Sequence, residues 1–268
     1  MSLSIRGKTA IVTGAGRGIG LAIAKDFVDR GANVMFADSD EALLEAQVSE
    51  AAEGNDQIRS FAADMSRKLA MANLLSATID AFDRVDILVN AHRVVKRSDP
   101  LDTDVDTLEE MLRQNMMSAL RMSQLVARRM IRQADENQGN DEAGAIVNLS
   151  TLAGTRPVPD LLGYSIACAA LDHATRGLAL ALAPHKIRVN GVRFSSVMSH
   201  EMKGALREEP SIRDSIIAGT PLGRIAAADE LADTVTYLVS PGAGFVTGQI
   251  LTVDGGRSIA DSVTASLL

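Results

Sequence analysis

The segment TGAGRGIG at 13–20 follows the apolar run KTAIVT and leads into a stretch of helical period that begins Ile19-Gly20-Leu21. Three glycines at that spacing suit a pyrophosphate. Gly14 permits a tight turn, Gly18 a close backbone approach and Gly20 close packing of a helix on a strand, while the free N–H groups of the helix start meet the anion. Asp38 closes the next apolar run, 24 residues after Gly14. A carboxylate there can accept both ribose hydroxyls of an adenosine and repels a 2′-phosphate, which predicts NAD rather than NADP. Arg17, inside the loop, could instead meet a 2′-phosphate; a loop arginine is more often solvated or turned to the pyrophosphate, so Asp38 carries the greater weight. Asp64 closes the run FAAD, where it can reach the adenine amino group or cap a helix starting near Ser66; the two roles are compatible.

These residues need a parallel sheet whose strand ends meet helix starts. Short apolar runs predict strands near 8–13, 33–37, 58–62, 86–90, 144–149, 186–192 and 249–253. Between them, helical periodicity predicts helices near 18–30, 40–53, 67–82, 105–133, 160–183 and 228–239. The alternation is that of βαβ units. The polar stretch ADENQGNDEAG at 134–144 reads as a solvated loop. The region 194–227, where Gly, Pro and Ser interrupt short apolar pieces, reads as an irregular flap over the carboxyl edge of the sheet. Its Met198, Met202, Leu206, Ile212, Ile216 and Ile217 face either a substrate or the body of the protein.

The 268 residues suit one α/β domain with a sizeable core, at 46% hydrophobic and 23% charged. A formal net charge of −7 repels nucleic acid and anionic lipid alike, so an anionic ligand needs a local site. The single Cys168 can form no intramolecular disulfide and fits a reducing compartment. Apolar runs stay short, as in LALALA at 178–183, and the start MSLSIRGK has no signal-peptide core, so a cytoplasmic protein is expected, with no membrane partner. No metal site is expected.

The order TGAGRGIG, Asp38, Asp64, DILVN at 86–90, Asn115, IVNLSTLAG at 146–154, Tyr164 and FVTGQILTVDGG at 245–256 resembles the compact single-domain branch of the short-chain dehydrogenase/reductase family, from about residue 6 to residue 257. The resemblance implies a Rossmann-type, doubly wound, seven-stranded parallel sheet and a nicotinamide dinucleotide. It implies hydride transfer to or from a small-molecule carbonyl or alcohol, and a homodimer or homotetramer built on the two long helices. Gly14, Arg17, Gly18, Ile19, Gly20, Asp38, Asp64, Met65 and Asn90 are then the cofactor-binding set. Of the family's tetrad of Asn, Ser, Tyr and Lys, Asn115 and Tyr164 match, and Thr151 stands where Ser is usual, keeping the hydroxyl. Tyr164 is the implied general acid or base.

The fourth member is missing. Four residues after Tyr164, in YSIAC, the expected Lys is Cys168. A free Tyr has a pKa of about 10, and a neighbouring cation is what brings phenolate within reach of neutral pH. If that cation is worth about 2–3 pKa units, its loss removes roughly 3–4 kcal/mol. Cys168 itself reads as an inert packer inside an apolar helix rather than a nucleophile. Two further departures surround the same cleft: Asn90-Ala91-His92-Arg93 replaces Asn-Asn-Ala-Gly, and Phe194-Ser195, preceded by Arg193, falls where Pro-Gly is usual. Arg93 and Arg193 either replace the lost charge or fill the emptied pocket. His92, at a strand end, reads as solvated, and His173, nine residues past Tyr164, turns away from the site. The expected activity is an NAD-dependent short-chain oxidoreductase; the alternative is a catalytically impaired subunit paired with an active paralogue.

Overall fold

The computed structural model describes residues 2–52, 55–104, 106–136 and 142–261. Its centre is one parallel sheet of seven strands in the order β3-β2-β1-β4-β5-β6-β7. The strands are β1 Thr9–Thr13, β2 Asn33–Asp38, β3 Ile58–Ala62, β4 Ile87–Asn90, β5 Gly144–Thr151, β6 Ile187–Phe194 and β7 Ile250–Val253. The inner strands β1 and β4 are buried along their whole length, because helices cover both faces of the sheet, and that is why they read as continuous apolar runs rather than alternating ones. The chain moves outward from β1 to β3, then crosses back to place β4 on the other side of β1. That reversal opens a crevice at the carboxyl ends of β1 and β4, the place where such sheets hold ligands.

Helices α1 Gly18–Asp29 and α2 Glu41–Ala52 are followed by α3 Lys68–Phe82. A long bent element then begins as α4 Leu108–Met111, widens into a π-helical turn over Leu112–Met117 and continues as α5 Ser118–Glu136. The helix predicted for 105–133 is thus interrupted, and it starts three residues later than expected. After β5 comes α6 Leu162–Leu182, then α7 His200–Glu208, α8 Ser211–Ala218 and α9 Ala228–Val239. One layer of the core packs Phe27 of α1 with Leu231, Val235 and Leu238 of α9 against the sheet; the other packs Leu74 of α3 with Met122, Val126 and Met130 of α5. The segment Pro159–His185, which contains α6, is long and apolar enough to cross a membrane by composition, and here one of its faces lies on β5 and β6.

The flap at 194–227 is less irregular than its Gly and Pro content suggests. It carries α7 and α8, with Ser199 capping α7 by accepting the Met202 N–H at 3.2 Å. A single bridge between Val197 and Ala226 closes its neck. Its apolar residues pack partly within the protein, Ile216 most deeply, and none of the six lines the cleft. Residues 137–141 of the predicted loop at 134–144, and residue 105 at the predicted start of the fourth helix, lie outside the described residues.

Candidate active site

A cleft of ≈ 550 Å³ runs along the carboxyl edge of the sheet. At one end, the turn after β1 and the start of α1 carry two glycines that no larger side chain could replace. Gly14 has φ +68°, and a Cβ on it would lie 2.7 Å from the His92 Cα. A Cβ on Gly20 would lie 2.1 Å from the Gly14 carbonyl oxygen, so this glycine seats α1 on the turn. Gly18, Ile19 and Gly20 bring the start of α1 to the cleft wall. Asp38, at the end of β2, accepts the Gly16 N–H at 3.0 Å through Oδ2 and the Asp40 N–H at 3.1 Å through Oδ1. Each oxygen keeps a second lone pair for a ribose hydroxyl. A glycine cradle under a helix start, with a carboxylate beside it, fits the adenosine diphosphate half of a dinucleotide.

Asp64 lines the same end. It does not cap α3, whose flanking residue is Arg67; instead its carboxylate accepts the Ser66 N–H at 2.9 Å and closes the turn before the helix. Those hydrogen bonds and Arg67 hold its pKa below the usual carboxylate value against the opposing effect of burial, which is the largest single influence. Met65 is buried in the core beneath the cleft wall and lines the cleft beside it.

Thr151, Tyr164, Phe194 and Ser199 line the other end with Arg93. Thr151 ends β5 and Tyr164 lies in the first turn of α6, and buried polar bonds hold the two elements in register. Asn90 donates to Asn148 at 2.8 Å, Asn148 to Thr175 at 2.9 Å, and Ser150 to Asp172 at 2.6 Å. Asn90 is therefore part of the scaffold behind the cleft and does not line it; its Oδ1 has no hydrogen-bond partner among the described residues. Asn115 also stands behind the wall. Its position in the π-helical turn lets its amide accept the Val94 N–H at 2.8 Å and donate to the Val94 carbonyl at 2.9 Å. The amide thereby clamps the loop that follows β4.

Tyr164 is 5% exposed, and its pKa is pushed up to about 12. Burial is the main cause and Cys168 adds to it; the Arg93 charge and a hydrogen bond from Thr151 act in the opposite sense without cancelling it. Burial also pushes the Cys168 thiol up, which makes it a packing residue, 3.6 Å from the Thr151 hydroxyl. The two arginines have different fates. Arg193 lies 14% exposed in an ion pair with the buried Asp172, so its charge is neutralised one layer away from the cleft. Arg93 extends into the cleft with its guanidinium 5.3 Å above the Phe194 ring.

His92 departs from the solvated reading. Its Nδ1 lies 2.7 Å from the Thr13 hydroxyl and its Nε2 2.7 Å from the Ser118 hydroxyl. Each hydroxyl also reaches a carbonyl, Ser118 that of Gln114 at 2.5 Å and Thr13 that of Val89 at 3.3 Å; the shorter bond claims the Ser118 proton, which assigns the ring proton to Nε2 and leaves Nδ1 to accept from Thr13. Burial pulls the imidazole down to a pKa of about 4, so the ring is a neutral brace between β1 and α5. His173 is exposed and away from the cleft, as expected. Ser39, Val94, Val95, Gln114 and Leu149 also line the cleft. No sequence reasoning picked them out, and apart from the adjacency of Ser39 to Asp38 they carry no local signal.

The family model described as Enoyl-(Acyl carrier protein) reductase matches residues 14–258. The chain is 34% identical over 254 residues to D-erythrulose reductase of Gallus gallus, covering 95% of this chain and 97% of that protein. It is 31% identical over 255 residues to 7alpha-hydroxysteroid dehydrogenase of Escherichia coli (strain K12), with 95% and 96% covered. Among solved structures, a gluconate 5-dehydrogenase from Burkholderia cenocepacia J2315 in complex with NADP and tartrate superposes with a TM-score of 0.87 at 25% identity, over 97% of this chain and 98% of that one.

Proposed function

This chain belongs to the short-chain dehydrogenase/reductase family of oxidoreductases, and on that premise we propose that it is an NADH-dependent reductase of small carbonyl compounds. The nicotinamide supplies the hydride when the cofactor is bound. Gly14, Gly18, Ile19 and Gly20 cradle the pyrophosphate, with Arg17 at the rim; Asp38 takes the adenosine ribose, and Asp64 and Met65 border the adenine. The observation that carries the cofactor reading is the carboxylate of Asp38 beside the Gly16 N–H, where a 2′-phosphate would be repelled. A solved relative holds NADP; the NAD preference proposed for this chain rests on Asp38. Asn90 and Asn115 serve the site by positioning β4, α6 and the Val94 loop.

The proton donor is Tyr164. With a pKa of about 12 the phenol stays protonated through the neutral range. It can therefore donate its proton to the oxygen of a carbonyl that is becoming an alkoxide, a far stronger base, with Thr151 hydrogen-bonded to the same oxygen. Phenolate is scarce near neutral pH, so alcohol oxidation, which draws on it as base, is expected to be fastest at alkaline pH. Cys168 supports a second reading, in which the chain binds the dinucleotide, turns over poorly and partners an active paralogue. We place the protein in the cytoplasm as a symmetric dimer or tetramer along α5 and α6, where Leu162 and Ile166 are exposed. Calorimetric titration with NADH and NADPH, followed by absorbance assays on a ketone panel, tests the proposal. Tighter NADH binding and measurable reduction are expected; tighter NADPH binding overturns the cofactor reading, and NADH binding without turnover on any ketone leaves the second reading.

A further inference from the structure

Arg93 has no carboxylate within ion-pair reach among the described residues, and its one described contact is the face of Phe194. The residue is exposed, and its backbone is held on both sides. On one side of it, the His92 ring is fixed between the Thr13 and Ser118 hydroxyls. On the other, Val94 is clamped through both its N–H and its carbonyl by Asn115, which is 6% exposed. Phe194, 3% exposed, supplies a rigid platform under the guanidinium. A planar cation stacked on a ring keeps its edge N–H groups free, and that edge matches the two oxygens of a carboxylate. The acidic residues that line the cleft, Asp38 and Asp64, are both at the adenosine end, while Tyr164 and Thr151 stand at Arg93's end.

We propose that Arg93 anchors a carboxylate on the substrate, so that the natural substrate is a carbonyl compound bearing a carboxylate close to the reacting carbonyl, such as an oxo acid. This rests on the reductase reading above for the reaction, though not for the anion site itself. Arg93 and Tyr164 line the same end of the cleft, so an anion on the guanidinium lies on the proton donor's side of the site. The Arg93 charge does not outweigh burial at Tyr164, so lowering the Tyr164 pKa is not the role it fulfils. A neutral ketone forgoes the ion pair and leaves the guanidinium facing an apolar group.

The test uses non-reducible probes on the full-length protein: oxamate and its N-alkyl derivatives of one to four carbons, each paired with its methyl ester, titrated calorimetrically with and without saturating NADH. The best acid is expected to bind at least tenfold more tightly than its ester in both conditions. Arg93→Gln is expected to abolish that preference and Arg93→Lys to restore part of it, with NADH affinity unchanged. Equal binding of acid and ester, absence of binding by any acid, or loss of NADH affinity as large as the loss of acid affinity in Arg93→Gln overturns the anchor. If NADH fails to bind while the acid preference and its dependence on Arg93 persist, the anchor stands and the reductase reading falls.

Discussion

Replacing Cys168 with Lys returns an ammonium to the helical turn after Tyr164 and isolates the effect of its absence. A unit charge about 5 Å from the phenol oxygen, at an effective dielectric of about 20, is worth roughly 3 kcal/mol, or a little over 2 pKa units. Applied to a phenol now at about 12, that brings the titration near 10 and raises phenolate at pH 8 from about one in ten thousand to about one in a hundred. Alcohol oxidation uses phenolate as base, and a hundredfold gain in phenolate, partly offset by its lower basicity, is expected to raise oxidation at pH 8 roughly tenfold. Both directions cross one transition state, so with cofactor affinities unchanged NADH-dependent reduction is expected to rise by a similar factor, the more acidic phenol being the better proton donor. Cys168→Met adds length without charge and is the control for filling the tight space beside Gly154, where a Cβ would already lie 3.2 Å from the Cys168 Cβ. The assay is dinucleotide absorbance with a secondary alcohol, alongside a tyrosinate difference titration against Tyr164→Phe in each background. A folded Lys variant in which Tyr164 titrates within about half a unit of its present value, or a Met variant that oxidises alcohols as well as the Lys variant does, refutes the electrostatic account.

Three further outcomes follow from the same geometry. Because the folded pKa of Tyr164 is raised above its unfolded value near 10, its contribution to stability is complete below pH 10 and is lost as pH climbs through about 12. Urea midpoints for the wild type are therefore expected to fall across that window, by up to about 3 kcal/mol of stability, and a parallel fall in Tyr164→Phe excludes Tyr164 as the cause. Asp38→Ala is expected to lower NADH affinity roughly tenfold while NADPH affinity rises, since charge-assisted hydrogen bonds are worth about 1.5–3 kcal/mol; calorimetry showing equal losses for both cofactors contradicts the assignment. Arg193→Ala strands the Asp172 carboxylate, 5% exposed, and is expected to cost about 3–5 kcal/mol in thermal or urea unfolding, whereas a variant of unchanged stability means that the pair is not what holds β6 to α6.

The inner strands β1 and β4 were legible as unbroken apolar runs because helices bury both their faces, while the half-exposed edge strands β3 and β7 showed as shorter apolar pieces; several strands end at residues the fold uses, Thr13, Asp38, Asn90 and Thr151. The two flap helices were not legible, since Gly204, Pro210, Gly219 and Pro221 punctuate them and each is only two to three turns long, with little buried surface to impose an apolar stripe. The π-helical turn at Leu112–Met117 was hidden for a different reason. One extra residue in a turn leaves the apolar spacing within a six-residue window almost unchanged, and its consequence, the clamp on Val94, joins residues 21 apart in sequence. The state of His92 depended on Thr13, 79 residues away, and no local pattern carries such a partner.

Arg93, Cys168 and Phe194 look in the sequence like three separate losses, of a glycine, a lysine and a Pro-Gly turn. In the fold Arg93 and Phe194 line one end of the cleft, and Cys168 packs behind that end against Thr151. The phenylalanine provides the ring on which the arginine lies, and that arginine needs a cleft end without a second cation, because two like charges in a partly desolvated space repel by amounts comparable to the roughly 3 kcal/mol worked out above. Cys168 supplies that condition. On the anchor proposal, the positive charge at this end of the cleft sits on the loop after β4 rather than on the helix beside the phenol. A charge beside the phenol lowers its pKa; a charge on the loop leaves the phenol protonated through the neutral range and gains a partner only when an anion arrives. Arg193 shows that the residue type alone decides nothing: one strand further on, the same guanidinium is claimed by Asp172 and takes no part in the cleft.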